Sequence, residues 1–152
     1  VATILIVQLA LINTGWSATL GDKLPLNLNV IAISGYPPST GPTQELKSIA
    51  IDDKVVSDSV LKFLRELKTQ KVAERIQSLP PGGEKLLWVI TGMSDGIPFV
   101  IGIQANLIVL NGGDELYKGD LGRQIYTDFS KLLISLKLIK ELAGPPLVNP
   151  AK

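Results

Sequence analysis

Residues 86–113 read LLWVITGMSDGIPFVIGIQANLIVLNGG. The run is apolar, rich in β-branched residues and broken by turn residues, which is the pattern of strands. Met93, Ser94, Asp95 and Gly96 read as a turn between LLWVITG and the stretch that follows. That following stretch, IPFVIGIQANLIVLNGG, is too long for one average strand, so a break or hairpin is expected near Gln104, Ala105 and Asn106. Residues 86–113 therefore predict a meander of three strands, with Trp88 in the core.

On the N-terminal side, LNLNVIAISG alternates from Asn27 to Ser34 and turns at Gly35. YPPSTGPTQ is a proline-bracketed loop, and LKSIAIDDKVV is a second strand carrying Ile49 and Ile51 on one face. Ser57, Asp58 and Ser59 supply cap residues for a helix expected to run to about Leu79, where LPPGGE stops it. Its apolar face shifts partway: Val60, Phe63, Leu64 and Leu67 share one side, whereas Val72, Ile76 and Leu79 lie round the helix beyond the polar KTQK. On the C-terminal side, DELYKGD reads as a loop. A final helix is expected from Asp120 as cap to about Ala143, stopped by Gly144 and two prolines. Leu121, Ile125, Phe129, Leu132, Leu136, Ile139 and Ala143 form its regular stripe. Ile134, Leu138 and Leu142 form a second one, which either sandwiches the helix inside its own fold or meets another subunit.

These elements predict a single domain over residues 1–152 of the mixed α/β (α+β) class. An antiparallel-rich sheet of about five or six strands would be covered by two long helices. With 152 residues, 45% of them apolar and 19% charged, the chain can bury a sizeable core without staples. Fifteen basic and fourteen acidic side chains leave +1, too little for a nucleic-acid footprint. There is no cysteine and no histidine. That removes disulfides, thiolate nucleophiles, Cys/His zinc sites and Ser-His-Asp triads. No enzyme activity and no cofactor are expected.

The opening, VATILIVQLALINTGW, carries twelve residues from Val1 to Ile12 with one amide and no charge. No Lys or Arg precedes Lys23, so the basic region of a signal peptide is not seen, and the stretch is expected to be retained. The uninterrupted apolar run stops short of the roughly 20 residues of a spanning helix, so no membrane span is predicted. Val1, Thr3, Ile4, Ile6, Val7 and Ile12 are β-branched, and the segment reads as a strand ending at an Asn-Thr-Gly turn. Both its faces are apolar. It is therefore either a central strand, or residues 1–20 include a strand donated to a neighbouring subunit. On the second reading Ile4, Ile6 and Trp16, together with Ile134, Leu138 and Leu142, are the candidate interface residues.

The order strand, strand, helix, strand, strand, strand, helix after residue 27 resembles that of the profilin, longin and roadblock group of small domains. DLGRQIYTDFSKLL is similar to the last helix of roadblock domains. Those resemblances imply an intracellular scaffold or regulator of assembly. LALINTG is similar to the end of the apolar N-terminal helix in archaeal flagellar filament subunits, which implies a polymerising subunit. All of them point to protein–protein work: a homo-oligomer, a self-assembling filament subunit at the cell surface or outside the cell, or a cytoplasmic scaffold.

One stretch has the ligand types of a calcium site. NGGDELYKGD brings Asn111, Asp114, Glu115 and Asp120 near one another between glycines, without EF-hand spacing. A solvated loop with a helix cap explains the same residues. Asp52 and Asp53 point to opposite faces of a strand end, and the glycine pairs match no phosphate-binding pattern.

Overall fold

A computed structural model describes residues 18–38, 44–71, 87–104, 108–111, 115–119 and 122–140. Among them are eight strands and two α-helices. The strands are β1 (Ala18–Thr19), β2 (Asn29–Gly35), β3 (Lys47–Ala50), β4 (Lys68–Lys71), β5 (Leu87–Ser94), β6 (Ile97–Gln104), β7 (Ile108–Leu110) and β8 (Glu115–Gly119). The helices are α1 (Lys54–Glu66) and α2 (Gly122–Ser135), and a 3-10 turn covers Leu20–Lys23. The strands form one sheet in the order β1-β4-β8-β7-β6-β5-β2-β3, with every pairing antiparallel.

The mixed α+β class and the antiparallel sheet agree with the sequence reading. Five strands, β3-β2-β5-β6-β7, make up its main part, and β8, β4 and β1 extend one edge. The meander over residues 86–113 is present. Its first turn is tighter than expected, because strand continues to Ser94 and resumes at Ile97. Only Asp95 and Gly96 turn, both with positive φ (50° and 77°), the type I′ geometry that suits an Asp-Gly hairpin.

Four expectations need correction. The first helix begins earlier: Asp53, not Ser57–Ser59, is its N-cap, its Oδ1 accepting from the Val55 amide at 2.7 Å. It also ends at Glu66, far short of Leu79. Leu67 turns extended, its carbonyl accepts from the Leu20 amide at 2.8 Å, and KTQK becomes β4 between β1 and β8. The polar break in the apolar face was the end of the helix, because the chain there pairs as a strand.

DELYKGD is likewise not a plain loop, since Glu115–Gly119 pairs with β7 on one side and β4 on the other. Backbone pairing on both sides outweighs a weak strand propensity. Finally, α2 stops at Ser135, not Ala143. Leu138 donates to the Leu133 carbonyl and Lys137 to that of Ile134, both at 2.9 Å, with Lys137 at φ 58°. This is a Schellman closure with lysine where glycine is usual, and Leu138 packs back against the core cluster that contains Leu133. Neither helix is therefore long.

Both helices pack on one side of the sheet. Val30, Ile33, Trp88, Ile90, Ile101, Ile103, Ile108 and Leu110 face them, and Val60, Leu64, Phe129 and Leu133 close the core. Trp88 is fully buried among Tyr126 and Phe129. Its Nε1 donates to Ser130 Oγ at 2.9 Å, which in turn donates to the Tyr126 carbonyl. The rings of Phe63 and Phe129 lie 5.4 Å apart and tie α1 to α2. Gly35 lets Trp88 cross β2, because a Cβ there would stand 2.3 Å from the Leu87 carbonyl and 2.6 Å from the indole.

Candidate functional site

Strand pairing dictates what lies on the side away from the helices. In register, Ser48, Ser34, Val89, Gly102 and Val109 form one row across β3, β2, β5, β6 and β7. Ala50, Ala32, Thr91 and Val100 form the next. No residue in these rows is charged. The central ones are half-buried. A bulge in β2 between Val30 and Ala32 leaves Ile31 outside the alternation and 37% exposed beside them. The bulge is held from the other side: the Val30 amide donates to Ser57 Oγ of α1 at 2.9 Å, and that hydroxyl donates to Asn29 Oδ1 at 3.0 Å.

An antiparallel sheet with one wet face ordinarily alternates apolar inside with polar outside. Here the outward positions in these two rows are small, apolar or hydroxyl-bearing, and none is charged. No described helix lies over them, and the charges of α1 and α2 are on the opposite side of the molecule.

The edge of this face is β3. The Ile51 amide donates to the Ile31 carbonyl at 2.9 Å, so residues 51, 49 and 47 turn their backbone groups to β2. Ser48 and Ala50 turn theirs outward, and among the described strands none lies beyond β3. Leu46, just before it, is 61% exposed.

On the helix side, a groove of about 610 Å³ opens between residues 26–29 and α1. Its polar groups are largely engaged in structure. The Arg65 guanidinium donates to the Pro25 carbonyl at 2.9 Å, Lys54 pairs with Asp58 at 2.7 Å, and Asn27 accepts from Ser94 and donates to Asp95. What remains, Lys62 and Glu66, is exposed at the rim.

The residues singled out from sequence are only partly placed. Ile4, Ile6, Trp16, Asp114, Asp120 and Leu142 lie outside the described residues. Asn111 sits just after β7 at φ 48°, its Oδ1 accepting from the Val100 amide at 3.3 Å. Glu115 opens β8. No group of three acidic residues able to hold a metal ion occurs among the described residues.

Ile134 is half-buried near the end of α2. Leu138 packs against the core and lies beyond the helix. The second stripe of the last helix is therefore not a helical stripe at all, because the helix ends three residues before Leu138. No described helix is long and apolar enough to cross a membrane.

The open sheet face and the β3 edge were missed by the sequence reading. The available signal was the uncharged outward set of Val89, Thr91, Val100 and Val109, once the register is known. No family model matches the chain, and no curated protein or solved structure matches it either. The element order behind the resemblance to the profilin, longin and roadblock group also differs from that expected, since β4 and β8 raise the strands between the two helices from three to five.

Proposed function

We propose that this protein is a non-enzymatic assembly subunit that acts by binding further copies of itself. The observation that carries this reading is the uncharged open face of the sheet. Five strands at a spacing of ~4.8 Å, four spacings in all, and four residues at ~3.4 Å give a face of roughly 260 Å². A standard interface needs about 800 Å² from each partner, so this face is too small to make one alone and further surface must add to it. Val1–Ile12 has the matching chemistry, twelve residues without a charge. Donation of that segment to a neighbour places uncharged chain against an uncharged surface, and repeated head-to-tail donation yields an assembly that grows.

Light scattering over a range of concentrations, on the intact chain and on a chain lacking Val1–Ile12, tests this. Large species from the intact chain and a small folded species from the truncated one are expected. A discrete dimer from both would favour a closed scaffold of the profilin or roadblock kind. An intact chain that remains monomeric at high concentration refutes the proposal.

A further inference from the structure

We infer that the outer edge of β3 pairs with the same edge of a second copy, antiparallel and with Ile49 on the two-fold axis. This rests on the self-association reading and names a surface for it. The argument starts from backbone parity. Ser48 and Ala50 each present an N–H and a C=O away from β2, and in an antiparallel pair only residues of that parity exchange hydrogen bonds.

A dyad through Ile49 sets Ser48 opposite the mate's Ala50 and Ala50 opposite its Ser48. Every outward group of β3 is then used in one symmetric register. The side chains directly across this pairing on the open face are a hydroxymethyl and a methyl, so nothing bulky obstructs it. On the helix side the two Ile49 side chains meet.

Charged residues often protect an edge from pairing, and Lys47 and Glu45 flank this one. In the proposed register Lys47 stands opposite the mate's Ile51, and its ammonium stays 3.4 Å from Glu45 of its own chain. The pairing also joins two open faces side by side, so it extends the uncharged surface instead of covering it.

The cysteine-free chain makes the register directly readable. Residues across a non-hydrogen-bonded antiparallel pair have Cα atoms ~4.5 Å apart, inside the ~4.4–6.8 Å window of a disulfide. Ile49→Cys is therefore expected to form a reducible dimer under mild oxidation. Ser48→Cys and Ala50→Cys, each alone, stand diagonally from their own copies at about 7–8 Å and are expected to cross-link at least tenfold more slowly.

An equimolar mixture of Ser48→Cys and Ala50→Cys is expected to yield the mixed disulfide, a readout that leaves Ile49 in place. Ser48→Pro removes an outward amide without touching the β2 ladder and is expected to abolish the edge-linked species at unchanged melting temperature. Light scattering is run beside the cross-linking. If the intact chain self-associates but neither Ile49→Cys nor the mixture cross-links faster than the single controls, the edge pairing is overturned and the assembly reading stands. A chain that is monomeric and shows no selective cross-linking overturns both.

Discussion

Replacing Ser57 by alanine removes one oxygen that joins α1, the β2 bulge and the loop before it. Ser57 is 1% exposed and Val30 is fully buried. The Val30 amide donates to Ser57 Oγ at 2.9 Å, and the same hydroxyl donates to Asn29 Oδ1 at 3.0 Å. Both sites are shielded from solvent, so the amide loses its partner when the hydroxyl is gone. An unsatisfied buried donor costs about 1–3 kcal/mol, and the loss of the second bond brings the expected destabilisation to about 2 kcal/mol.

For a chain of this length that is a fall in melting temperature of roughly 4–8 °C. Urea unfolding should show a lower midpoint at an unchanged m value, because the surface exposed on unfolding is the same. Ser59→Ala is the matched control. Its hydroxyl, two residues along the same helix, donates only to the Val55 carbonyl of its own helix, and alanine is the better helix former. A Ser57→Ala loss no larger than that of Ser59→Ala would refute the claim that this hydroxyl satisfies the bulge.

Lys137 adopts a left-handed conformation that glycine takes without penalty, so Lys137→Gly is expected to raise stability by about 0.5–1 kcal/mol, read by the same unfolding curve. Gly35→Ala is expected to cost about 3 kcal/mol or to abolish folding, because the new methyl meets the Leu87 carbonyl and the Trp88 ring together; loss of the near-ultraviolet signal of the buried indole reports it.

The parts legible in the sequence are those fixed by short-range pattern. Alternation and the Asp95-Gly96 turn announce the β5–β6 hairpin. The Ile125–Phe129–Leu132 spacing announces α2, and the apolar run around Trp88 announces core. What escaped depends on partners distant in the chain. KTQK is polar and lies in a helical context, yet Lys68–Lys71 has strand neighbours on both sides, one from the start of the described chain and one from residues 115–119. The end of α2 escaped because its stop signal is a lysine in a glycine conformation, whereas Gly144 offered a more conventional one eight residues after Leu136. The open face could not be read at all without register, since Ser34, Val89, Gly102 and Val109 become neighbours only when four strands are aligned.

The two proposed surfaces reinforce each other. Alone, the open face of one copy is no larger than the apolar patch an ordinary monomer tolerates. Edge pairing through β3 sets two such faces in one plane, about 43 Å across at ~4.8 Å per strand spacing, and yields roughly 600 Å² of continuous uncharged surface. A patch of that size is at the upper limit of what monomers display and calls for cover. A two-fold edge contact by itself closes at two copies, so growth then depends on what covers the joined faces. If Val1–Ile12 of other copies does so, removing that segment should leave the Ile49→Cys dimer intact while abolishing all larger species. A truncated chain that still forms large species would show that the faces are covered by something other than the opening segment.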